Sequence, residues 1–182
     1  MLANPEHLAK LKEGVEPWNQ WRKQNPEIRP DLRDADLRNA SLRHANLRLT
    51  DLSGANLIGA DLREASLHKA KLREANLRSA NLSLASLSEA DLAWAVVRGA
   101  ILTEADLQEA KLITVDLSEV DLRRASLNAA FLSDANLIRA DLRGANLCMA
   151  TLVETNLEGA DLTGCSVYGI SAWDLRLEGA IQ

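Results

Sequence analysis

The chain has 182 residues and a formal charge of −5; 47% of its side chains are hydrophobic but only 3% are aromatic, too few for a conventional globular core of one domain with short appendages. No apolar run approaches the roughly 18 residues of a membrane span, and no basic, apolar, small-residue leader opens the sequence. Neither membrane insertion nor Sec-type secretion is therefore expected, and the cytoplasm is the expected compartment.

Residues 1–29 read as a short helical leader. Asn4 is placed to cap a helix with Pro5 in its first turn, followed by Leu8 and Leu11, and Gly14 is a natural stop. A second helix is expected through Trp18-Asn19-Gln20-Trp21-Arg22-Lys23, before the Asn25-Pro26 break. Leu8, Leu11, Trp18, Trp21 and Ile28 are the expected underside of a lid; the alternative is a Trp-bearing binding helix.

From residue 30 to residue 169, Leu or Val recurs at every fifth position without a slip, from Leu32 to Val167, giving (167 − 32)/5 + 1 = 28 units. The unit reads A-(D/N/S)-L-x-x, as in Ala35-Asp36-Leu37-Arg38-Asn39 and Ala145-Asn146-Leu147-Cys148-Met149. Below, its five places are called positions 1 to 5, with Leu at position 3. A period of five matches neither a helix nor a flat strand, because on a helix successive Leu residues would rotate by about 140° and reach every side. The remaining solution is a solenoid, in which each unit buries its apolar side only because the next coil stacks on it. An inward Leu contributes about 1.5–3 kcal/mol, while ordering each residue costs about 1–2 kcal/mol, so coil-to-coil hydrogen bonds must supply the balance.

This unit resembles the signature of the pentapeptide-repeat family, over about three quarters of the chain. The resemblance implies an all-β fold, a right-handed quadrilateral β-helix of about seven coils with a short N-terminal α-helical cap. Four units make one coil, so residues 20 apart are stacked neighbours, and the rod should be roughly 30–35 Å long. Gly54, Gly59, Gly99, Gly144, Gly159, Gly164 and Gly169 all fall at position 5, where a type II turn at each corner would require positive φ.

Residues 170–182 form either an end coil or a truncated linker. Family members often dimerise through their C-terminal coils and others carry further domains, so the resemblance permits both. Tyr168, Ile170, Trp173 and Leu175 are the candidate self-association end of a homodimer.

Chemistry is sparse. His7, His44 and His68 fall on the leader and on two different faces, so no metal-ligand cluster is expected. No nucleophile elbow, P-loop or CxxC is present, and the acidic residues form repetitive solvated ladders rather than one secluded pair. Cys148 is outward and Cys165 inward, which argues against a disulfide. No catalysis and no cofactor are expected.

Function is then expected on the surface. Outward positions on the face of Leu92, Leu112, Leu132 and Leu152 carry Trp94, Ile113, Phe131 and Val153 on four successive coils, a candidate partner-binding stripe. Simple stacking along the rod, or a local bulge at Phe131, would be the structural alternative. Val96 and Ile101 replace the usual Asp or Asn on the next two faces. A second feature is a basic girdle, Arg33, Arg38, Arg43 and Arg48, one on each face of the first coil, for which solvated pairing with neighbouring acids is the plain account. Residues 30–99 carry ten basic and nine acidic side chains, net +1, and residues 100–169 carry five and eleven, net −6. Nucleic acid is not an expected partner, since the whole-chain charge is negative and aromatics are not interleaved with the girdle. The expected function is a rigid, non-enzymatic protein-protein interaction or scaffold module. The alternative implied by the resemblance is a DNA-mimicking inhibitor of DNA gyrase, which needs acidic charge spread over the rod.

Overall fold

A computed structural model describes residues 3–182. Two helices, α1 (Pro5–Lys12) and α2 (Val15–Gln24), precede a right-handed quadrilateral β-helix. Every position-2 residue from Asp31 onward makes a parallel bridge to the residue 20 places later, from Asp31 with Asp51 to Asp161 with Ile181. The winding therefore runs through residues 170–182, where Ser171, Arg176 and Ile181 pair with Thr151, Asn156 and Asp161.

Residues 51–55, from position 2 of one unit to position 1 of the next, show why the sequence takes this form. Asp51 N–H donates down the rod to the Pro30 carbonyl at 2.8 Å, while Leu52 and Gly54 N–H donate up it to Lys71 and Arg73 at 2.7 and 2.8 Å. Ala55 N–H closes the corner on the Leu52 carbonyl at 3.0 Å. Only the position-4 N–H lacks a backbone acceptor, and the Asp51 carboxylate accepts it at 3.1 Å. Asp and Asn thus dominate position 2 because they supply the one hydrogen bond that the winding leaves open. The corner demands positive φ at position 5, between 54° and 71°, and every position-5 residue from Asp34 to Gly179 has it.

Positions 1 and 3 form the core: the Leu column and its Ala partners are almost fully buried from Leu32 to Ala160. Position 1 is filled mostly by Ala, with Val115 and Val120 buried there as well and the larger Ile170 and Leu175 appearing only on the last coil. Where Thr replaces Ala, the buried hydroxyl needs an acceptor; Thr155 Oγ1 donates to the Leu132 carbonyl at 2.8 Å, whereas Thr50 Oγ1 has no partner.

The leader covers the first coil. Leu11 and Trp18 are buried, and Leu8 and Trp21 pack against the core at its rim. Ile28, by contrast, is 37% exposed and contributes its carbonyl, which accepts from Arg22 Nη1 at 2.6 Å. The polar contacts imitate a missing coil: Trp18 Nε1 donates to the Asn46 carbonyl at 2.9 Å, and Arg22 Nη2 to that of Arg48 at 2.9 Å. Burial lowers the pKa of Arg22, with the nearby Arg48 charge acting in the same direction. α2 starts at Val15, three residues ahead of the sequence expectation, because Gly14 at φ 120° turns the chain directly into it.

Candidate functional site

Four faces can be followed along the rod, the first holding Leu32, Leu52 and their successors. Around this face, position 2 is represented by Phe131 and position 4 by Ile113, Val153 and Trp173, with Trp94 at the position-5 edge. Trp94 is 49% and Phe131 43% exposed, Ile113 is also exposed, and Val153 is half-buried. Phe131 does not bulge. Its N–H donates to the Ala110 carbonyl at 3.0 Å and its own carbonyl accepts from Leu112 at 2.8 Å, so the aromatic ring projects from an undisturbed ladder.

The position-4 column of the stripe is interrupted once, by Ser133 between Ile113 and Val153, on the coil where Phe131 stands at position 2. Trp94 N–H donates to the Ile113 carbonyl at 3.2 Å, and further up the rod Glu154 N–H donates to that of Trp173 at 3.0 Å. Trp173 stands one coil above Val153 in the same column and is 57% exposed. Met149, at the preceding edge and equally exposed, adds a side that the sequence reading missed. Its sulfur lies over Gly169, in the space that a Cβ there would need. The 20-residue offset carries the Trp173 signal; for Met149 the clue is an apolar residue at an outward position next to a glycine one coil later. At the other end, the Arg73 guanidinium sits 4.4 Å from the centre of the Trp94 ring and is held by Asp91 at 3.1 Å, a cation–π contact that fixes the indole on the surface.

Position 2 on these middle coils is unusual in a second way. At Val96, Ile101, Lys111 and Phe131 no carboxylate or amide is available to accept the position-4 N–H. Local stabilisation present at Asp51, Asp91 or Asp116 is forgone where apolar side chains face outward.

The basic girdle is largely neutralised. Arg33 and Arg38 form two-pronged pairs with Asp31 and Asp36, the shorter contact being 2.6 Å in each, and Arg43 reaches across one coil to Glu64 at 2.6 Å. The Arg48 side chain has no ion pair among the described residues. The same Asp-Leu-Arg geometry recurs at Asp61-Arg63, Asp121-Arg123 and Asp141-Arg143. Hydrogen bonds from Arg38 and Arg63 hold Asp36 and Asp61 at about 2, below the usual carboxylate range.

The four residues of the C-terminal end divide. Ile170 and Leu175 occupy inward position 1 and are half-buried against the core, while Tyr168 and Trp173 point outward at position 4. They do not form one patch: Trp173 joins the stripe, and Ile170 and Leu175 line an open hollow of about 400 Å³ with Leu152, Leu157, Leu162 and Leu177. Cys148 and Cys165 are free thiols. Among the described residues no group of His, Cys, Asp and Glu could hold a metal ion, and no helix is long and apolar enough to cross a membrane.

The model of the family "Pentapeptide repeats" matches residues 31–68, 65–103, 100–137 and 130–167. Among solved structures, the chain is similar to HetL, a pentapeptide repeat protein involved in heterocyst differentiation regulation in the cyanobacterium Nostoc sp. strain PCC 7120. The identity is 33% over 82% of this chain and 79% of that one, with a TM-score of 0.55. It is also similar to trypsin-treated QnrB1, a plasmid-mediated fluoroquinolone resistance protein. Here the identity is 16% over 80% of this chain and 68% of that one, with a TM-score of 0.50, a likeness of fold. No curated protein sequence matches the chain.

Proposed function

The chain belongs to the pentapeptide-repeat family, and from that premise we propose that it is a non-catalytic, rigid scaffold whose first face binds a partner protein. The carrying observation is the replacement of hydrogen-bonding position-2 residues by Phe131 on the first face and by Val96 around its corner, beside the exposed Trp94, Ile113 and Trp173. Giving up a local hydrogen bond in order to expose apolar area has no folding rationale, and contiguous exposed apolar area is the ordinary mark of an interaction surface. A rod of stacked coils presents that area rigidly, so little ordering entropy is lost on binding.

The test is capture from the source cells with the wild-type chain and with Phe131→Asn. The variant regains the position-2 acceptor and so keeps its fold. A partner retained by wild type and lost by the variant supports the reading; equal retention refutes it.

A second reading concerns the C-terminal end. The hollow left by the last Leu residues and the exposed Val167, Leu177 and Ile181 support end-to-end association of two copies. The leader closes only the opposite end.

A further inference from the structure

The scaffold reading leaves the partner's chemistry open, and the edge of the first face bears on it. Asp134, Glu154 and Asp174 occupy position 5 on three successive coils, one coil spacing of about 4.8 Å apart. None has an ion pair among the described residues. Four of the five position-5 acids on the other edges are treated differently: Glu64, Glu89, Glu104 and Glu119 each hold an Arg or Lys of a neighbouring coil within 3.7 Å, and the fifth, Glu109, stacks only on Ala129 and on Glu89, which Lys69 holds. Like charges stacked directly opposite one another destabilise a sheet, so an unneutralised ladder is a local cost. Its place is not arbitrary. Val153 and Trp173 immediately precede Glu154 and Asp174, so the ladder forms one border of the apolar face. On its other side it lines a groove of about 670 Å³ with Asn136, Ile138 and Asn156, and with Arg176 at the C-terminal end.

We infer that the first face docks a cationic amphipathic helix of a partner protein, with apolar side chains on Phe131, Val153 and Trp173 and Lys or Arg along Asp134 and Glu154. The inference rests on the scaffold reading and specifies its ligand. Charge complementarity sets the sign, because a basic flank would neutralise carboxylates that the rod itself leaves unpaired. Spacing favours a helix. One helical turn rises 5.4 Å, close to the coil spacing, so side chains at i, i+3/i+4 and i+7 meet successive coils from Ile113 to Trp173. Same-side residues of an extended strand recur every ~6.8 Å and fall out of register sooner. Arg176 at one end of the groove places the basic contacts toward Asp134 and Glu154.

The probes are two labelled synthetic helical peptides with the same Leu stripe, one with Lys and one with Glu on the polar flank, titrated against the full chain by fluorescence anisotropy. The Lys peptide should bind and the Glu peptide should not. Glu154→Lys should weaken the Lys peptide at least about tenfold, as should Phe131→Asn, whereas Glu104→Lys, on the diagonally opposite edge, should leave it unchanged. Circular dichroism checks that each variant keeps its fold. Equal weakening by Glu154→Lys and Glu104→Lys would reduce the binding to general attraction by an acidic chain and overturn the inference, as would equal binding of both peptides. If the Lys peptide fails to bind while Phe131→Asn still loses the cellular partner, this inference falls and the scaffold reading stands; if Phe131→Asn loses neither, both fall.

Discussion

Asn19 in helix α2 pairs with Asn46 of the first coil as a neighbouring strand would. The Asn46 N–H donates to Asn19 Oδ1 at 2.7 Å, and Asn19 Nδ2 donates to the His44 carbonyl at 3.0 Å. One side chain thus replaces the rung that the Asn46 N–H would make to a coil below, and in addition holds the His44 carbonyl, which the winding itself leaves free. Asn19→Ala should cost about 1–3 kcal/mol by orphaning these groups, and Trp18→Ala about 3–5 kcal/mol through the cavity it leaves. Chemical denaturation measures both, and a Trp18→Ala loss below that of Asn19→Ala would show that the cap acts by hydrogen bonding rather than by packing.

Two buried threonines at equivalent positions should respond in opposite directions to the same change. Thr155→Val removes the bond to the Leu132 carbonyl and should cost about 0.5–1.5 kcal/mol. Thr50→Val removes a buried hydroxyl with no partner and should stabilise the chain by about 1 kcal/mol. Thermal melts of the two variants should move to either side of wild type.

The paired acids should titrate low. Asp61 stands at about 2 instead of 3.8 because Arg63 hydrogen-bonds its carboxylate. A folded pKa below the unfolded one contributes stability that is complete above the unfolded value and is lost as pH falls through the folded one, here between about 4 and 2. The pair is exposed, so screening keeps the contribution small. In an NMR titration Arg63→Ala should return Asp61 toward 3.8; no movement would mean that the position-4 N–H, not the guanidinium, holds it down.

A gyrase supercoiling assay should show no inhibition by stoichiometric chain. Residues 100–169 are acidic overall, at net −6, but Asp121 and Asp141 are covered by Arg123 and Arg143, as Asp36 and Asp61 are by Arg38 and Arg63. A DNA mimic would leave those carboxylates free. Inhibition would replace the scaffold reading with the DNA-mimic one.

Sedimentation should detect association through the open end. Leu175→Asp, which puts a charge at the hollow lined by Leu152, Leu157 and Leu162, should shift the chain toward monomer. Wild-type chain that stays monomeric at high concentration would exclude end-to-end pairing.

Much of this was legible in the residue string because a period of five admits few solutions. The unbroken register from Leu32 to Val167 determined the core column, the outward positions and the corner glycines, and it singled out Trp94 and Phe131 as exceptions. The role of Asp and Asn at position 2 emerged only from the structure, where their side chains accept the position-4 N–H that the winding leaves open. Contacts between coils were decided only by the tertiary structure. Arg33 and Arg38 pair with the Asp two residues before them, but Arg43 follows Ser41 and pairs one coil up with Glu64. Likewise Trp173 leaves the end group for the stripe, Met149 joins its border over Gly169, and Asp134, Glu154 and Asp174 stand unpaired beside it. Such partners are about 20 residues apart in the chain, and which of them meet depends on where long side chains settle on a stacked surface. Inward direction is set by a local repeat; outward pairing is set by neighbours that exist only after the coils have stacked.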